Sequence, residues 1–146
     1  MEIELTDDEH LRAIAAVEAV VADDDDALAL LAGGPGERPL PALLASYGQH
    51  TLHRILTAAF GVEATMDYDE TGRLVAQVSS DPMARVVFTL TETLHDQAAL
   101  ADDDPRAPKL IARSILLGIH AFTDAGTEEA LTLLRALRDE VLLRAE

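Results

Sequence analysis

No helix or strand runs uninterrupted through Gly33-Gly34-Pro35-Gly36. Proline brings no backbone donor, and each glycine adds conformational entropy that ordering must overcome. The run therefore divides the 146-residue chain into a leading segment, 1–32, and a core, 42–146, joined by a loop over 33–41. The total length suits one compact domain, and both parts are expected to belong to it.

Charge is distributed as unevenly as structure. The chain carries 27 acidic and 11 basic residues, a formal net charge of −16. Residues 1–32 hold ten acids against Arg12 alone, so more than half the net charge lies in the leading segment. A field of that sign repels phosphates, which disfavours direct contact with nucleic acid or an anionic membrane, and it attracts a basic partner. The bland alternative is a solvated, solubilising segment. Hydrophobic residues make up 49% of the chain, too many for disorder to be the expected state. No apolar run is long enough for a membrane span, and Met1 to Glu9 is too acidic for a secretory signal, so the expected compartment is the cytoplasm. The absence of cysteine excludes disulfides, thiol catalysis and Cys-type zinc sites.

Helical signals dominate both ends of the chain. Thr6-Asp7-Asp8-Glu9 has the form of a capping box, and Leu11, Ile14, Val17 and Val21 follow on one face, predicting a helix over 7–22. Asp23 to Asp26 oppose the dipole at its C-terminus and are expected to end it, with a short helix over 27–32. Leu44, Tyr47, Thr51, Leu52, Ile55 and Ala59 predict a helix over 41–60, with Gly61 as its C-cap. Residues 109–124 predict a helix apolar on most sides, either central or facing a second copy of the chain, which makes a homodimer part of the reading. The last helix is expected after Ala125-Gly126, capped by Thr127, with Glu128 and Glu129 in its first turn.

The middle of the chain reads differently. Val62, Ala64, Met66 and Tyr68 alternate with polar residues, Asp69 to Gly72 reads as a turn, and Leu74, Ala76 and Val78 resume the alternation. Val86, Val87, Thr89, Thr91 and Thr93 are β-branched, which favours a third strand at 85–92 and a helix over 93–101. The expected fold is thus α+β: N-terminal helices, a small antiparallel β-meander over about 62–92, and two C-terminal helices. An all-α bundle with one β-hairpin is the alternative.

Motifs for catalysis are weak. Asp67 to Gly72 begins like a calcium loop, but Val78 stands where such a loop needs a bidentate Glu. Glu92 and His95 have the Glu-x-x-His spacing of di-metal bundles, without the second copy those sites require. His50 and His53 lie three apart on one helix, opposite Leu44 and Ile55, and read as surface imidazoles; His10 shows no partner. Arg138 falls within the arc of Leu131, Leu134, Val141 and Leu142. Either its stem packs there while the guanidinium reaches water, or it joins an ion pair with a carboxylate elsewhere in the fold or on a partner.

The functional expectation is a non-enzymatic acidic interaction domain of adaptor, chaperone or inhibitor type, without a cofactor, binding a basic protein partner. Asp7, Asp8, Asp23, Asp24, Asp25, Asp26 and Arg138 are the expected contact residues. Two alternatives are a DNA mimic occupying a nucleic-acid-binding protein, and a metal-dependent enzyme using helix-borne His and Glu.

Overall fold

A computed structural model describes residues 5–32, 34, 36–59, 67–101, 104, 106–123 and 127–144. Among these the chain forms seven helices: α1 (Asp7–Val21), α2 (Asp25–Leu30), α3 (Leu40–Ala59), α4 (Tyr68–Ser80), α5 (Pro82–Leu100), α6 (Arg106–Thr123) and α7 (Thr127–Arg144). No described residue is in a strand. The fold is all-helical, and the expected α+β arrangement is wrong. So is the alternative's hairpin, wherever the described residues test it.

The first helix follows its sequence signals. Thr6 accepts a hydrogen bond from the Glu9 amide, and the Glu9 carboxylate accepts one from the Thr6 amide, both at 3.1 Å. This reciprocal cap satisfies two donors that the helix itself leaves open. Ala13, Ile14, Ala16, Val17 and Val20 turn one face of α1 into the core. The long helices α3 and α6 appear close to their expected positions.

The meander fails for a local reason. Asp67 caps α4, its Oδ1 accepting from the Glu70 amide at 2.8 Å, so the segment read as a turn is the first turn of a helix. Leu74 and Val78, read as alternating strand positions, are also four apart and share a helix face; Val78 is buried and Leu74 half-buried. Asp81 then caps α5 through a bond from the Ala84 amide at 3.2 Å, with Pro82 in the first helical position, where its missing N–H costs nothing. The buried seam of α5 is Ala84, Val87, Thr91 and Leu94, spaced three, four and three. Small and hydroxylated residues hide that period from a search for large apolar ones. The threonines also give up their strand preference cheaply: Thr91 donates to the Phe88 carbonyl at 2.9 Å and Thr93 to Thr89 at 2.8 Å. Residues 62–66, Gly61 and Ala125-Gly126 lie outside the described residues.

One continuous core draws buried side chains from all seven helices. At its centre α3 packs on both α5 and α6, and α6 also touches α1, α5 and α7. Two glycines permit this closeness. A Cβ on Gly48 would stand 2.7 Å from Ile115 Cγ1, and one on Gly118 would stand 2.9 Å from Leu52 Cδ2. The largely apolar circumference of α6 is thus explained mostly by its four helical neighbours; Leu110 and Leu117 remain on its outer side, exposed.

Candidate interaction site

The aspartate run is the junction between α1 and α2, and each residue in it has a definable place. Asp23 adopts a left-handed conformation, φ 56°, in the position where glycine usually ends a helix. Around it the Asp24 amide donates to the Ala19 carbonyl at 2.9 Å and the Asp23 amide to Val20 at 3.2 Å, the paired bonds of a Schellman motif. Asp24 then caps α2, its Oδ1 accepting from the Ala27 amide at 3.0 Å. Asp25 and Asp26 sit in the first turn of α2, where the helix dipole favours them. Asp25 pairs with Lys109, the sole lysine, across to α6. All four aspartates are exposed.

Beside this junction lies a groove built by Arg12. Its Nε donates to the Leu31 carbonyl at 2.8 Å and its Nη2 to the Arg38 carbonyl at 2.6 Å, while Nη1 stands 3.7 Å from Glu37. The one base of the leading segment therefore ties α1 to the end of α2 and to the approach to α3. Arg38 reinforces this with an ion pair to Glu9 at 3.2 Å. The result is an opening of about 700 Å³ between α2, the 34–41 segment and the start of α6. Its walls are apolar, chiefly Leu28, Ala29, Ala32, Leu40 and Pro108, and Asp25, Glu37 and Asp104 stand along it. Arg106 binds both Asp104 oxygens, at 3.1 and 2.9 Å, and holds that carboxyl below the usual range. With the flanking Asp23, Asp24 and Asp26, six carboxylates meet Arg12, Arg106 and Lys109, leaving this end negative by three charges.

The other expected contact residues are elsewhere. Asp7 and Asp8 are exposed in the first turn of α1, at the opposite end of that helix from the junction. Arg138 donates to Glu18 Oε1 at 3.3 Å, and Arg135 approaches the same oxygen at 3.7 Å, so α7 is clamped to α1 from within the chain. Of the two readings of Arg138, the intramolecular ion pair is the one realised. Glu92 is exposed, whereas His95 is hydrogen-bonded to Gln49 at 2.7 Å, which separates the Glu-x-x-His pair. No group of three or more His, Asp or Glu able to hold a metal lies among the described residues.

Sequence reasoning missed a second opening. His10, read as partnerless, meets His50 edge-on with ring centroids 5.0 Å apart and Tyr47 at 6.0 Å. Arg54 and Glu140 line the same opening. Tyr47, His50 and Arg54 recur at three- and four-residue spacing on α3, a stripe visible in the sequence once its face is known. Burial pushes the Tyr47 phenol up to about 12, against smaller opposing effects of the Thr51 hydroxyl and the Arg54 guanidinium.

The chain matches no known protein family, no curated protein and no solved structure. No helix among the described residues is long and apolar enough to cross a membrane.

Proposed function

We propose that this protein is a non-enzymatic interaction domain, acting in the cytoplasm, that binds a basic segment of a protein partner in the groove beside the aspartate junction. The observation that carries the reading is the coincidence of an apolar cleft with an excess of carboxylates around it. Apolar walls supply affinity through burial, and the surrounding charge selects a cationic sequence and speeds encounter. The alternative of a DNA mimic needs carboxylates spread over an extended surface; here they concentrate at one helix junction.

The test is the affinity of the full chain for a synthetic peptide of alternating Arg and Leu, measured at low and high salt. A Glu and Leu peptide serves as control. The double variant Asp23→Gly/Asp26→Asn removes two carboxylates that make no ion pair among the described residues, and glycine suits the left-handed position. Tight, salt-sensitive binding of the basic peptide that weakens in the variant supports the reading. Equal binding of both peptides, or affinity indifferent to salt and to the variant, rejects it.

A further inference from the structure

α1 packs against both α3 and α7, but α3 and α7 make no contact with each other among the described residues. The gap between them, floored by α1, is the second opening, about 300 Å³. That volume corresponds to about ten waters, at roughly 30 Å³ each, and so to a molecule of about ten non-hydrogen atoms.

Its chemistry is segregated. Ile14, Leu137 and Val141 form an apolar side. Opposite them α3 contributes Tyr47 and Arg54. The Tyr47 side chain is 1% exposed, and its hydroxyl has no hydrogen-bond partner among the described residues, although Thr51 stands one turn away. Leaving a buried hydroxyl unmatched is costly unless something supplies the acceptor. The phenol stays protonated at neutral pH and is therefore a donor in search of one. Arg54 is exposed and forms no ion pair with a described carboxylate, unusual in so acidic a chain. His10 and His50 add donor capacity at the same opening, against the single carboxylate of Glu140.

We propose that this cleft binds a small organic monocarboxylate, its carboxylate held by Arg54 and the Tyr47 hydroxyl and its apolar body lying on Ile14, Leu137 and Val141. One negative charge is specified because a second would be brought against Glu140. Inorganic phosphate lacks the apolar body and carries more charge, so it is a poor fit. This site is separate from the acid-rimmed groove, and its occupancy does not depend on that reading.

The experiment titrates the intact protein with benzoate, hexanoate, benzamide and inorganic phosphate while following the Tyr47 ring and the His10 and His50 imidazole resonances. At least one carboxylate is expected to saturate in the millimolar range or tighter, with benzamide and phosphate about tenfold weaker or worse. Tyr47→Phe removes only the unmatched hydroxyl. It is expected to leave the melting temperature unchanged or higher while weakening carboxylate binding about tenfold; Arg54→Gln is expected to weaken it at least as much. The proposal is overturned if neither carboxylate saturates, if benzamide or phosphate binds as well, or if both variants bind unchanged. A Tyr47→Phe protein that melts markedly lower would also count against it, because the hydroxyl would then serve the fold.

Discussion

Gly48 of α3 and Ile115 of α6 meet at backbone distance: a methyl group on Gly48 would fall 2.7 Å from Ile115 Cγ1 and 3.3 Å from Leu94 Cδ1. Ile115 is fully buried and its β-branched side chain has little freedom to turn away. Gly48→Ala is therefore expected to destabilise by about 1–3 kcal/mol from overpacking, more than the roughly 1 kcal/mol of helix propensity it gains. Gly118→Ala meets the mobile end of Leu52 and should cost less. Gly72→Ala, with nothing within 4 Å, should instead stabilise by about 0.5–1 kcal/mol. Chemical denaturation of the three variants checks that order.

Within the aspartate run, stability and charge separate. Asp23→Gly relieves a left-handed non-glycine residue and should stabilise by about 1 kcal/mol. Asp24→Ala loses the α2 cap and should cost about 1 kcal/mol, whereas Asp26→Ala should stay within about 0.5 kcal/mol. Thermal melts of the three variants decide it; equal effects would mean that the junction is not built as described.

How much of this was legible follows from where the signals lie. The cap at Thr6 and Glu9 and the stripe of α1 are local, and they survive into the structure. The α4–α5 pair was misread because Leu74, Ala76 and Val78 satisfy two periods at once, and because Ala84 and Thr91 in the α5 seam do not look like core. Asp67 with Glu70, and Asp81 with Pro82, were the deciding helix starts. The charge of the leading segment was plain from residue order. The groove was not, since Leu28, Leu40 and Pro108 come from three separated stretches that Arg12 draws together through two backbone carbonyls.

Arg12→Lys tests that role. A lysine keeps the charge but not the planar fork that reaches the Leu31 and Arg38 carbonyls together. The expected loss is about 1–3 kcal/mol, with the groove's probe peptide binding weakened beyond what charge alone would give. Unchanged stability would show that the groove does not depend on this guanidinium.

Arg138→Leu and Glu18→Gln test the α1–α7 clamp. Both partners are partly exposed, 38% and 28% for the side chains, so the pair is expected to contribute under about 1 kcal/mol, fading in high salt. Arg138→Leu should be near neutral because its position lies within an apolar arc. A double-mutant cycle in denaturant measures the coupling.

Alkaline pH offers a test of Tyr47 burial. A phenol raised from 10.0 to about 12 keeps its proton in the folded state while the unfolded chain loses it. Its contribution is complete below about pH 10 and is lost as pH rises towards 12, a decline of about 2–3 kcal/mol. Ultraviolet titration of tyrosinate in a Tyr68→Phe background isolates the group. Ionisation at the ordinary phenol value would contradict its placement in the core.

The claim on which the functional account turns is the location of basic-peptide binding, and amide chemical-shift mapping with the Arg and Leu peptide tests it most directly. The account predicts shifts concentrated at residues 25–32, 36–41 and 106–109, reduced in the Asp23→Gly/Asp26→Asn variant. Shifts centred on α4 and α5, or none at low salt, would contradict it.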